Sequence, residues 1–148
     1  MNRSEILAAI PHRPPFLLID EVVEISADRV VTLKRVDAES GFFDGHFPGH
    51  PVMPGVLICE CAFQTGALLV AHRVGEGASD ASVPLLTRIQ DARFKRQVQP
   101  GQVLRIEVVL DEELGGAYFM TGRVTCDEKA VLRVQFACTL APAEGPGQ

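Results

Sequence analysis

At 148 residues the chain fits one domain, which at this size buries about two thirds of the surface its unfolded form exposes. Its 47% apolar and 22% charged residues match an ordinary globular protein and exclude a disordered chain. A formal net charge of -5 leaves no basic field for a polyanion, so wholesale nucleic-acid binding is not expected.

The N-terminal residues, MNRSEILAAIPHRPPF, contain no apolar run of signal-peptide length because Pro11 follows directly on Ile10, so secretion is not indicated. Ser4 is the candidate N-cap of a short helix over residues 5–10, which Pro11, Pro14 and Pro15 end in extended or turn geometry. Residues 16–25 and 29–36 are rich in β-branched and aliphatic types with Ala27-Asp28 between them, which predicts a hairpin. Residues 41–55, GFFDGHFPGHPVMPG, hold four glycines and three prolines and form neither regular helix nor central strand. Phe42, Phe43 and Phe47 in this loop read as packing residues.

The following run, VLICECAFQTGALLVAHRV, is apolar nearly all round and predicts a helix about 30 Å long that other elements must wrap. Its most apolar part, residues 56–71, is shorter than a membrane span of about 20 residues and carries Glu60, so no membrane insertion is expected. Small and polar residues over 75–82 mark a linker. Strand patterns then return: Leu104, Ile106, Val108 and Leu110 alternate with Arg105, Glu107 and Val109. Residues 117–126 and 130–140 look similar, with Gly115-Gly116 and residues 127–129 as turns. The tail, residues 141–148, reads as frayed. The prediction is a single α+β domain over 1–148, a long central helix wrapped by an antiparallel sheet of five to six strands.

Cys59, Cys61, Cys126 and Cys138 are few for this length and lack zinc-site spacing, so they read as small buried hydrophobes in a reducing compartment. Cys59 and Cys61 stand about 200° apart on a helix and cannot share one metal ion. The chain has no Gly-x-Gly-x-x-Gly after a strand, no phosphate loop and no His-Glu-x-x-His, which disfavours nucleotide cofactors and zinc proteolysis.

A constellation remains at the loop-to-helix junction: His46, Gly55, Glu60 and Gln64. Glu60 and Gln64 share a helical face, and burial in an apolar helix should raise the Glu60 pKa and suit it to general-acid work. Pro54 and Gly55 open the helix with free N–H groups at the positive end of its dipole, where an oxyanion could be held. A base, an acid and an amide donor suit β-elimination next to a carbonyl. His12 and His50 claim the base role on equal terms with His46, and Glu60 could instead pair with a buried arginine.

The segment GHFPGHPVMPGVL with Glu60 and Gln64, together with PHRPPFLLID and DARFKRQVQPGQVL, resembles the FabZ-type (3R)-hydroxyacyl-[acyl carrier protein] dehydratases. The resemblance implies the hot-dog fold, His46 and Glu60 as catalytic residues, Gly55 as the amide that polarises the thioester carbonyl, and Gln64 as the residue that positions Glu60. It also implies no metal or organic cofactor. Cytoplasmic dimers that build a trimer of dimers are implied as well, each site combining His46 of one subunit with Glu60 of the other. Arg93, Lys95 and Arg96 are candidates for docking the acidic acyl carrier protein. The related FabA type has aspartate where this chain has Glu60, which favours a plain dehydratase. Cys61 and Phe63 depart from the commoner Glu-Ala-Met-Ala-Gln helix pattern, which bears on chain length more than on chemistry. The alternatives are an acyl thioesterase on the same fold and a non-catalytic acyl-carrier binding subunit.

Overall fold

The computed structural model describes residues 1–75 and 82–142. In chain order these form α1 (Arg3–Ala9), β1 (Glu21–Ile25), β2 (Arg29–Arg35), a 3-10 turn (Gly41–Asp44), α2 (Gly55–Val74), β3 (Ser82–Phe94), β4 (Val103–Leu114), β5 (Ala117–Cys126) and β6 (Lys129–Pro142). The strands make one sheet in the order β1-β2-β4-β5-β6-β3, with every neighbouring pair antiparallel. The long helix α2 packs against β2, β4, β5 and β6, so the sheet wraps it in the hot-dog arrangement.

By length and composition alone α2 could cross a bilayer, since it runs for 20 residues rather than the 16 of its most apolar stretch. Its surroundings decide otherwise. Ile58, Cys61, Ala62, Leu68 and Leu69 are at most 2% exposed, and they face a sheet whose Ile106, Val108, Val124 and Val134 are fully buried. Apolar surface removed from water in this contact stabilises the fold by about 25 cal/mol per Å². Thr32 and Thr65 meet inside it at 2.8 Å, and Thr65 donates to the Cys61 carbonyl, so no hydroxyl is stranded.

Glycines let the helix press close to the sheet. A Cβ on Gly66 would lie 2.7 Å from Phe136 Cε2 and 3.2 Å from the Met120 sulfur, and one on Gly122 would lie 3.0 Å from Ala62 Cβ. Gly66→Ala is therefore expected to lower unfolding stability by about 1–2 kcal/mol, although alanine is the better helix former by about 1 kcal/mol. An unchanged or raised thermal midpoint would show that the contact has room to spare.

Paired positive φ angles at Gly115 and Gly116 and at Asp127 and Glu128 give both hairpin turns the backbone twist of their flanking strands. All four cysteines are buried and free. Burial pushes the Cys61 thiol up to about 12 and the Cys138 thiol to about 11, so both remain protonated.

Several local expectations are corrected. The first helix begins at Arg3, capped by Asn2 rather than Ser4, because Glu5 at the third helical position closes a capping box with Asn2. The first strand starts at Glu21, not at residue 16, since Phe16 and Leu18 give their backbone groups to the Gln64 side chain. The loop contains one 3-10 turn, in which Phe43 is buried and packs on Phe42. Phe47 is half exposed and stacks on His46. The tail is paired as far as Pro142, and residues 143–148, like linker residues 76–81, lie outside the described residues.

Candidate active site

The loop that enters α2 is pinned from within. The Val52 amide donates to the His46 carbonyl at 3.0 Å, Phe47 and His50 exchange backbone hydrogen bonds, and Met53 donates to Val98 at 2.8 Å. Buried Phe43, Val52 and Met53 anchor it to the core. The imidazole of His46 is held too, with Nδ1 2.9 Å from the Val52 carbonyl oxygen. A carbonyl oxygen only accepts, so Nδ1 carries the proton and donates, which leaves the Nε2 lone pair of the neutral ring free to act as a base.

One turn into α2, Glu60 is partly buried, and burial raises its carboxyl pKa above the ordinary carboxylate range, offset in part by a hydrogen bond from Gln64. Gln64 is fully buried and satisfied on both sides. Its Oε1 accepts from the Leu18 amide at 2.8 Å, which fixes the amide orientation, and its Nε2 donates to Phe16 O at 2.8 Å and to Glu60 Oε2 at 2.9 Å. The lead-in to β1 is thereby fastened to the acid-bearing helix.

Leu57 and Ile58 turn back to the Pro54 carbonyl, so the Gly55 amide precedes the first helical hydrogen bond and stands at the positive end of α2. The Phe94 ring fills the space that a side chain on Gly55 would occupy, since a Cβ there would lie 2.8 Å from Phe94 Cε1.

Within one chain, and among the described residues, no hydrogen bond or ion pair joins His46 to Glu60. Among the described residues, the basic side chain within 4 Å of the Glu60 carboxyl is His12, with Nε2 3.8 Å from Oε2, and not an arginine. His50 is exposed, unlike the partly covered His46. The docking candidates separate. Arg93 is engaged by Asp91 at 2.8 Å, whereas Lys95 and Arg96 line an open hollow of about 420 Å³ together with Lys129. Sequence reasoning did not single out Lys129, because only the β3–β6 register carries it to Lys95. Nor did it place His12 beside the acid, although His12 opens the PHRPPF segment.

A partly buried carboxyl on the central helix and an oriented imidazole in the loop before it place two groups able to exchange protons on a hot-dog scaffold. Solved structures share that scaffold. The dehydratase heterocomplex ApeI:P from Xenorhabdus doucetiae superposes with a TM-score of 0.80 at 19% identity, covering 92% of this chain and 90% of that one. A hypothetical thioesterase from Streptococcus pneumoniae TIGR4, solved with coenzyme A, gives 0.66 at 12% identity, with 96% and 98% covered. At these identities the likeness concerns the fold alone.

The FabA-like domain family matches residues 10–135. The 3-hydroxyacyl-[acyl-carrier-protein] dehydratase FabZ of Solibacter usitatus (strain Ellin6076) is 40% identical over 144 residues, 97% of this chain and 88% of that protein. The enzyme of the same name from Anaeromyxobacter dehalogenans (strain 2CP-1 / ATCC BAA-258) is 43% identical over 136 residues, 91% and 87% respectively. The chain belongs to the 3-hydroxyacyl-[acyl-carrier-protein] dehydratases of the FabZ type, which are hydro-lyases.

Proposed function

We propose that the protein dehydrates (3R)-3-hydroxyacyl-[acyl carrier protein] to trans-2-enoyl-[acyl carrier protein] in fatty acid biosynthesis. The observation that carries the chemistry is Glu60, a carboxyl whose pKa burial raises and whose Oε2 the Gln64 amide holds. His46 Nε2 removes the proton on C2 while the Gly55 amide takes up charge on the thioester oxygen. The C2 electron pair forms the double bond to C3, the C3–O bond breaks, and Glu60 delivers its proton to the departing hydroxyl as water. Transfer of the C2 proton back to the carboxylate restores both groups.

The reading includes an assembly. β3 is an edge strand, and Leu85, Leu86 and Ile89 are between 40% and 54% exposed on it. An apolar unpaired edge invites a second copy. A homodimer across this edge would set His46 of one subunit against Glu60 of the other, and three such dimers would complete the expected assembly. Free buried thiols fit a cytoplasmic location.

Incubation with a 3-hydroxyacyl carrier substrate tests the function. Ultraviolet absorbance from an enoyl thioester is expected, whereas release of free thiol without it would favour a thioesterase. Neither product would leave the carrier-binding reading.

Docking of the acyl carrier protein is assigned to Lys95, Arg96 and Lys129, with Arg93 weakened by its Asp91 partner. Lys95→Glu with Lys129→Glu is expected to raise KM for the carrier-borne substrate about tenfold, through lost complementarity with an acidic partner, without changing turnover of a short carrier-free thioester. An equal loss on both substrates would contradict a docking role.

A further inference from the structure

His12 stands apart from the acid–base machinery described so far. It lies in the lead-in that Gln64 fastens to α2, and its Nε2 comes within 3.8 Å of Glu60 Oε2. Its other ring nitrogen, Nδ1, is buried with no hydrogen-bond partner among the described residues. A neutral imidazole carries one proton, and leaving a buried N–H without an acceptor is the rarer arrangement than leaving a lone pair without a donor. The proton therefore belongs on Nε2, the nitrogen that faces Glu60. Gln64 already donates to the same carboxyl oxygen. Oε2 thus accepts one hydrogen bond, from Gln64, and is faced by the His12 Nε2–H at 3.8 Å. A carboxylic acid whose one oxygen faces two N–H donors carries its proton on the other.

We propose that His12 is a positioning residue for the acid: its Nε2–H, together with the Gln64 amide, holds Glu60 Oε2 as an acceptor and so reserves Oε1 for the proton that leaves with the hydroxyl. At 3.8 Å the pair is in electrostatic contact and not yet hydrogen bonded, so the role includes a closing of about 1 Å during turnover. The neutral ring that this requires agrees with a His12 pKa lowered first by burial and then by the neighbouring Arg13 charge. Arg13 itself donates to the Ile10 and His12 carbonyls. Among the described residues, the other titratable groups that feel Glu60 are the Cys59, Cys61 and Cys138 thiols, all raised by burial and therefore protonated. In the proposed dimer His46 of the partner subunit faces the carboxyl as well.

The inference rests on Glu60 as the acid, so Glu60→Gln is measured alongside. His12→Phe keeps the volume and the burial but removes the donor, whereas His12→Gln places an N–H near the position of Nε2. In His12→Phe, kcat is expected to fall about tenfold at unchanged KM, and the Glu60 carboxyl, followed by carbon-13 NMR, is expected to titrate at higher pH than in the parent, since its charged form has lost a donor. His12→Gln is expected to recover most of kcat and the parent titration. Three results would overturn the inference: parent turnover and titration in His12→Phe, equal loss in both His12 variants, or a loss that follows only the folded fraction seen by circular dichroism. Wild-type turnover in Glu60→Gln would remove the acid assignment and this inference with it, whereas an inactive Glu60→Gln beside a fully active His12→Phe would overturn this inference alone.

Discussion

His46→Asn is expected to lower kcat by about a thousandfold while KM stays within about twofold, the size of effect that loss of a well-placed general base produces. Asparagine is the informative replacement because its side-chain amide can still donate to the Val52 carbonyl that now accepts from His46 Nδ1. The pin that shapes the loop is kept, along with the backbone bond from Val52 to the His46 carbonyl. What disappears is the Nε2 lone pair. Steady-state kinetics on a 3-hydroxyacyl thioester provide the check, and a loss under about tenfold would mean that another group takes the C2 proton.

Glu60→Gln is expected to cost a similar factor, about a hundredfold to ten-thousandfold in kcat, with the fold intact. Glutamine has nearly the same shape, and its carbonyl oxygen can accept the Gln64 hydrogen bond now made to Oε2. It has no proton to give to a leaving hydroxyl. The variant also supplies the assignment for a direct titration. In the parent, the carbon-13 carboxyl signal absent from Glu60→Gln should titrate above the ordinary glutamate value of about 4.3, because burial disfavours the charged form more strongly than the Gln64 bond favours it. A titration at or below that value would remove the physical basis for Glu60 as an acid near neutral pH.

These two side chains also show how far sequence reasoning reaches. The helix that carries Glu60 was legible because its apolar run is long, is opened by Pro54-Gly55 and is closed by Gly75, all of which are local signals. The β4–β5 and β5–β6 hairpins were legible for the same reason, through alternation on either side of Gly115-Gly116 and Asp127-Glu128. A spacing of four residues placed Glu60 and Gln64 on one face, where the structure puts them 2.9 Å apart. The boundaries that moved were those decided by side chains from elsewhere. Residues 16–20 read as strand by composition, yet Gln64, some 46 residues away, takes the Leu18 amide. Strand order is equally nonlocal: β3 lies at the sheet edge beside β6, and this pairing brings Lys129 to the hollow of Lys95 and Arg96. His12 beside Glu60 follows from the same folded-back lead-in. No periodicity within either segment encodes that meeting.

One site is expected to be assembled from a loop imidazole of one chain and a helix carboxyl of another. This can be tested by mixing two inactive proteins, His46→Asn and Glu60→Gln, under conditions that allow subunits to exchange. With a shared two-fold interface, half of the dimers become mixed, and each mixed dimer holds one site with both residues intact, so about a quarter of the parent activity should return. A mixture that stays as inactive as its components, with exchange verified by mass spectrometry, would contradict a site shared between subunits.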